Sequence, residues 1–219
     1  MGAGDPDSPP PQPLRAPDLR DLRVADDVYE PAEDSFALVD ALALALAAAT
    51  AANTLPRVAL EVGCGSGFVS AAVAAALSDP KSAYAVEGAR VYATDCNPAA
   101  CAATRALLAA HAPAAAADVR ECDLEGALAT ELRGAVDLLV FNPPYVPSPE
   151  DEVGGPRIEA AWAGGERGRV VIDRLLPRVA NLLSGENGCA RRAEGEEVPP
   201  STFPATHARK CRPIQPGGH

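Results

Sequence analysis

The chain has no Cys-x-x-Cys pair, and no charge-free apolar run reaches the roughly 18 residues of a membrane span. Its first residues, MGAGDPDSPPPQPL, contain neither the basic nor the apolar segment of a secretory signal. The six cysteines, at 64, 96, 101, 122, 189 and 211, therefore support neither a zinc ribbon nor a disulfide framework. They read as reduced, mostly buried thiols of a cytoplasmic protein, with the nucleus as a second compartment. Positive charge is also scarce: 19 Lys or Arg face 30 Asp or Glu, for a net charge of -11. The deficit lies in residues 1–184, which hold 14 basic against 26 acidic side chains, while residues 185–219 hold 5 against 4. Affinity for nucleic acid comes mainly from Lys and Arg neutralising phosphates, so this balance argues against DNA or RNA as a partner. A protein or a small molecule suits it better.

What is present is apolar residue: 47% of 219, enough for one domain with a sizeable core. Residues 1–27 read as a disordered, proline-rich leader. A helix is expected from the turn at Tyr29-Glu30-Pro31 to about Ala49, dominated by Ala and Leu. Its stretch ALALALAAA is too short to span a bilayer and reads as core-facing. The segment RVALEVG is a strand ending in glycine, and SGFVSAAVAAALS a helix. Next come a strand in ARVYATDCN, a helix in PAACAATRALLAAHA, a weaker strand in ADVRECDLE and a strand in AVDLLVFN. The last helix, RVVIDRLLPRVANLLS, is expected to kink or restart at Pro177. Strands alternating with helices predict an α/β fold of the Rossmann-like, doubly wound kind, a parallel sheet with helices on both faces. Residues 185–219, rich in Pro, Gly and charge, read as a disordered tail. A sheet ending on the apolar DLLVF would leave that strand as an exposed edge.

The strand ends carry the chemistry. LEVGCGSGF places Glu61, Gly63, Gly65 and Gly67 where a strand gives way to a helix. Glycines there let a ligand approach the backbone, and the helix N-terminus favours polar ligand groups, although glycine turns alone are common in α/β proteins. Asp95, ending the next strand, would lie beside that loop and accept the two hydroxyls of a ribose. Its competing role is a helix N-cap, for which Asn97 is better placed. Asp123 would end the third strand beside an adenine and accept from its exocyclic amine; alone it reads as a solvated turn acid. A dinucleotide loop has the form G-x-G-x-x-G, whereas GCGSG is G-x-G-x-G with Glu61 two residues before it. An acid there would repel a pyrophosphate but could contact a cationic amino group, which favours S-adenosylmethionine.

DLLVFNPPYVP then ends the fourth strand with Asn142, Pro143, Pro144 and Tyr145 side by side. For a planar NH2 substrate, the Asn142 side-chain oxygen can accept one N–H and the Pro143 carbonyl the other. The prolines fix φ and so preorganise both acceptors, and Tyr145 can pack its face on the planar group. No general base is required before methyl transfer. Glu159–Arg169, EAAWAGGERGR, reads as a loop that either lines the substrate entrance through Trp162 or simply packs Trp162 on the core.

Taken together, VYEPAEDSF, LEVGCGSGFVS, ATDCNP, DLLVFNPPYVP and IEAAWAGGERGRVVIDRLLP resemble the eukaryotic HemK-type class I methyltransferases, over roughly Val28 to Ser184. The resemblance implies a methyltransferase domain over 28–184. It implies methylation of the glutamine of the GGQ motif in the class-one translation termination factor, with S-adenosylmethionine as cofactor. It implies cofactor contacts by Ser35, Glu61, Gly63, Asp95, Asp123, Leu124 and Asn142, with Asn142, Pro143, Pro144 and Tyr145 holding the substrate amide. A small zinc-binding activator subunit is implied as heterodimer partner. Two departures stand out. SAYAVEGA lengthens the path between the first two strands, as a surface loop that leaves Asp95 in place. The family's fifth strand and terminal hairpin are replaced by the 185–219 tail, which predicts lowered stability and activity. The Asn-Pro-Pro-Tyr run also serves adenine-N6 methyltransferases, and histone lysine or arsenic acceptors stay open, as does a non-catalytic isoform that keeps the cofactor site.

Overall fold

The computed structural model describes residues 12–22, 24–126, 128–154 and 158–185. The expectations for residues 1–11 and for 186–219 lie outside the described residues. Helix α1 is Glu33–Ala51, strand β1 Val58–Val62, α2 Phe68–Ser78, β2 Arg90–Asp95 and α3 Pro98–His111. They are followed by β3 Ala116–Glu121, α4 Leu128–Glu131, β4 Leu138–Phe141 and α5 Val170–Leu182. Among the described residues the sheet has four strands, all parallel, in the order β3-β2-β1-β4.

Side chains of period two sort the core into two halves. Ala59, Val91, Ala93, Val119 and Val140 face α1, α2 and α3, and Leu60, Val62 and Tyr92 face α4 and α5. Both faces are buried, which is why β1 and β4 read as apolar runs rather than alternating ones. Helix α2 is rich in Ala because it is buried from Phe68 to Leu77, and small residues let it lie close to the sheet. Helix α1, at 19 residues, is long and apolar enough to cross a membrane by length and composition. In the fold it covers the sheet through Val39, Leu42, Ala43 and Leu46. The inserted Ser82–Ala89 segment is a loop outside the sheet, and Asp95 keeps its place at the end of β2, paired in register with Glu121.

Three expectations are corrected. Residues 12–22 and 24–27, read as part of a disordered leader, lie along the body: Leu14 is buried in the core. The Tyr84 hydroxyl donates to the Gln12 carbonyl at 2.8 Å, and the His111 ring lies 2.8 Å from the Arg15 carbonyl. Helix α5 does not restart at Pro177: it is one element with that proline inside it. Among the described thiols burial is only partial: Cys64 and Cys101 are buried, Cys122 is half-buried and Cys96 is exposed.

Among the described residues β4 is the edge of the sheet, as expected, pairing only with β1; the chain is tied down just before it. Leu183 forms a parallel bridge with Val136, and the Ser184 N–H donates to the Val136 carbonyl at 2.7 Å. Asp137 binds this junction together. One of its oxygens accepts from the N–H groups of Arg57 and Val58, at 2.8 and 3.0 Å, and the other from the Ser184 hydroxyl at 2.7 Å. The residues directly after α5 are therefore fastened to the segment that leads into β4.

Candidate functional site

The strand order reverses between β1 and β4: the chain winds from β1 outward to β3, then returns to the other side of β1. Loops at the carboxyl ends of those two strands splay apart, which leaves a crevice at that point. The crevice is a cleft of about 670 Å³. Of the residues singled out from the sequence, Ser35, Glu61, Gly63, Gly65, Asp95, Asp123, Leu124, Asn142–Tyr145 and Trp162 line it, and Gly67 does not.

The glycine loop forms its floor. Gly63, Gly65 and Gly67 have φ of +71°, +52° and +81°, a left-handed path that costs other L-residues about 1 kcal/mol or more each. A Cβ at Gly63 or Gly65 would meet nothing within 4 Å, so both glycines border open space. Gly67 is the opposite case, since its Cβ would lie 2.6 Å from the Thr104 Cα. That glycine lets α2 and α3 pack together. Asp95 supports the loop with both oxygens: Oδ2 accepts from the Gly65 N–H and Oδ1 from the Asn97 N–H, each at 2.9 Å. A carboxylate offers about four lone-pair sites, so Asp95 retains acceptor capacity. Asn97 caps α3 by accepting from the Ala99 N–H at 2.8 Å, which leaves Asp95 free of that task.

Glu61 lies at the back of the cleft, 5% exposed, and accepts from the Ser70 hydroxyl of α2. Burial pushes its carboxyl up to about 8, only partly opposed by that hydrogen bond. An unfolded glutamate titrates near 4.5. Between those values the folded chain keeps a proton that the unfolded chain releases. This group therefore makes stability fall as pH rises from about 4.5 to about 8. Denaturant unfolding of the ligand-free protein at about pH 5 and about pH 8 is expected to show the fall. Glu61→Gln, which keeps the neutral shape, is expected to reduce it; an equal fall in both proteins would contradict a protonated Glu61.

At the far wall, Leu124 holds φ of +51°, an unusual conformation for a branched residue, and is buried against the cleft. Asp123 is exposed, and its Oδ2 accepts from Arg174 of α5. Arg178 of the same helix pairs with the buried Glu125 at 3.0 Å. These two pairs hold α5 on the loop after β3. Ser35 is buried at the start of α1, where its hydroxyl accepts from the Ala32 N–H at 3.3 Å.

The mouth is built by the segment after β4. Asn142, Pro143 and Pro144 are half-buried, and Tyr145 is 53% exposed. The Asn142 Nδ2 donates to Oδ2 of Asp34 on α1 at 3.0 Å. Val146 forms a bridge with Ala163: its N–H donates to the Trp162 carbonyl and its carbonyl accepts from the Gly164 N–H, both at 2.8 Å. The loop after Trp162 is thus joined to the Asn-Pro-Pro-Tyr segment by main chain, and Trp162 is half-buried on the cleft wall. Sequence reasoning missed Asp34 as Asn142's partner, and Ser70 and Arg174 as supports of Glu61 and Asp123. No spacing signals these pairs, which join residues 108, 9 and 51 positions apart.

The arrangement fits a nucleoside carrying a cationic amino acid tail. Gly63 and Gly65 leave an open cradle, Asp95 offers acceptors to a diol, and Glu61 offers a buried acid to an amine. Comparison with known proteins agrees with this chemistry. Residues 35–154 match the model of the methyltransferase small domain. The chain is 47% identical over 158 residues to Methyltransferase HEMK2 of Mus musculus, and equally so to that of Homo sapiens, which covers 72% of this chain and 67% of each relative. It is 33% identical over 182 residues to the eRF1 methyltransferase catalytic subunit mtq2 of Schizosaccharomyces pombe, covering 78% of this chain and 75% of that one.

Proposed function

We propose, from the premise that this chain belongs to the methyltransferase small-domain family and is a methyltransferase, that it uses S-adenosylmethionine to methylate the side-chain amide nitrogen of a glutamine. The acceptor is the Gly-Gly-Gln loop of the class-one translation termination factor. The observation that carries the reading is that Asn142, Pro143 and Tyr145 line the same cleft as Glu61, Asp95 and Asp123. The relative from Schizosaccharomyces pombe is named for methylation of that factor.

Gly63, Gly65, Asp95, Glu61 and Asp123 would hold the cofactor, with Ser35 and Leu124 at its sides. The bound cofactor supplies an electrophilic methyl carbon on a sulfonium. An amide nitrogen is a poor nucleophile because its lone pair is delocalised into the carbonyl. The Asn142 oxygen and the Pro143 carbonyl accept its two hydrogens and favour a less planar nitrogen. Tyr145, open at the mouth, stacks on the flat amide. With the cofactor bound, the nitrogen held by Asn142 and Pro143 would take its methyl group and then give up a proton to water. No side chain has to remove that proton beforehand, so positioning is the main catalytic contribution. Burial pushes the Glu61 carboxyl up to about 8, which favours its neutral form in the free protein at neutral pH. An ammonium group beside it favours the carboxylate, so cofactor binding is expected to release about one proton there.

The small zinc-binding activator subunit belongs to the same proposal, as heterodimer partner. The test is transfer of labelled methyl by the full chain, with that subunit, to the termination factor, to the factor with its Gly-Gly-Gln glutamine replaced, and to adenine oligonucleotides. Label confined to the intact glutamine is expected. Label on the oligonucleotide, or on the glutamine-less factor, overturns the reading.

A further inference from the structure

Asp34 sits in the first turn of α1, half-buried on the cleft wall, where the helix N-terminus favours its charge. It serves two neighbours with two oxygens. Oδ1 accepts from the Ser35 N–H at 2.8 Å and from the Ser35 hydroxyl at 3.3 Å, and Oδ2 accepts from Asn142 Nδ2 at 3.0 Å. The second bond joins the start of the first helix to the end of the fourth strand, 108 residues away.

A carboxamide has two ends of nearly equal size and opposite chemistry. Turned one way, Asn142 shows an oxygen to the cleft; turned the other way, it shows an NH2. A substrate NH2 can donate to the first and meets only a competing donor in the second. The two states differ little in shape, so packing cannot choose between them. A carboxylate can, because it only accepts. With Oδ2 of Asp34 against it, the nitrogen end must face α1 and the oxygen end is left for the cleft.

We propose that Asp34 is a positioning residue: it sets the rotational state of the Asn142 side chain, and so restricts the site to acceptors that donate hydrogen bonds to it, planar NH2 groups above all. What Asn142 faces rests on the glutamine reading, whereas the Asp34–Asn142 bond does not. Acceptors that require a donor from Asn142 are excluded by the same bond. Rotation would leave two NH2-like donors or two acceptors face to face, an unpaired arrangement that is costly in a half-buried site.

Two measurements on the full chain test this. The first is a double-mutant cycle on kcat at saturating cofactor, with the Gly-Gly-Gln protein as acceptor. Asp34→Ala is expected to lower kcat by about tenfold to a hundredfold, the range for losing one preorganising contact. In the Asn142→Ala background the same change is expected to do almost nothing, because Asp34 acts only through Asn142. Losses that multiply independently overturn the proposal, since a merely structural role for Asp34 would weaken both backgrounds alike. The second needs no variant at position 34 to fold. The Asn142 side-chain NH2 resonance of the 15N-labelled protein, assigned by its disappearance in Asn142→Ala, is expected to exchange with water at least about tenfold more slowly than a free carboxamide. Exchange at the free rate overturns the proposal. A wild-type chain that methylates no glutamine would refute the function proposed above, and this second measurement would still decide the role of Asp34.

Discussion

Asn142→Ala is expected to abolish methyl transfer, lowering kcat at saturating cofactor and acceptor by about 10³-fold or more, while cofactor affinity changes only severalfold. One preorganised hydrogen-bond partner of a reacting group is typically worth about 10² to 10³ in kcat. Here the same side chain also fixes the line of attack, and a misplacement of about 1 Å can cost a further 10². The cofactor side of the cleft is built by other elements: the loop after β1, Asp95 on β2, and Asp123 held by Arg174 of α5. None of their hydrogen bonds passes through Asn142, whose recorded partner is Asp34. Turnover measured under single-turnover conditions, beside calorimetric binding of cofactor, checks the split. A variant that keeps a tenth of the wild-type rate would remove Asn142 from the chemistry. A variant that loses cofactor binding instead would make it a ligand of the cofactor rather than of the acceptor.

The strand ends were legible in the sequence because each strand stops at a residue that a strand interior would reject: glycine after β1, aspartate on β2, asparagine and proline after β4. Right-handed crossovers place helices on both faces of such a sheet, and Leu60, Val62 and Tyr92 against Ala59, Val91 and Ala93 show the two buried faces that it needs. What sequence did not reveal depends on main-chain groups or on distant pairs. Residues 12–27 have leader-like composition, yet they dock through Leu14 and through the carbonyls of Gln12 and Arg15. A carbonyl acceptor leaves no trace in residue type. Pro177 removes one helical hydrogen bond, at a cost of about 3 kcal/mol. Leu175 and Leu182, on either side of it, are fully buried and require one continuous face, and burial of such side chains contributes about 1.5 to 3 kcal/mol each. Tertiary packing therefore outweighs the local preference to break. Ser184 was read as the last helical residue, but its hydroxyl and N–H are taken by Asp137 and Val136, so the chain leaves α5 two residues earlier and turns toward β4.

Gly168→Ala is expected to lower stability by about 2 to 4 kcal/mol and kcat by about 10² or more, although residue 168 lies outside the motif it supports. Gly168 has φ of +64°, for which alanine costs about 1 to 2 kcal/mol. A Cβ there would also overlap the carbonyl oxygen of Tyr145, a main-chain atom that cannot rotate away. Tyr145 is held in turn by its neighbours, because Val146 bridges to Ala163 and the Ser148 N–H donates to the Gly165 carbonyl at 3.0 Å. Gly164 leaves no room for retreat, as its own Cβ position is 2.6 Å from the Gly168 Cα. The added methyl must therefore push the Asn-Pro-Pro-Tyr segment away from the cleft or break its bridge, and either displaces the acceptors set for the substrate. Gly88→Ala is the control. Its φ of +73° carries the same conformational penalty, but nothing lies within 4 Å of its Cβ and it borders no part of the cleft. Thermal melting should place Gly88→Ala a few degrees below the wild type with turnover retained, and Gly168→Ala roughly 5 to 15 °C below it with turnover lost. Equal melting losses and equal turnover in the two variants would mean that the glycines of this loop serve only its backbone path and not the grip on Tyr145.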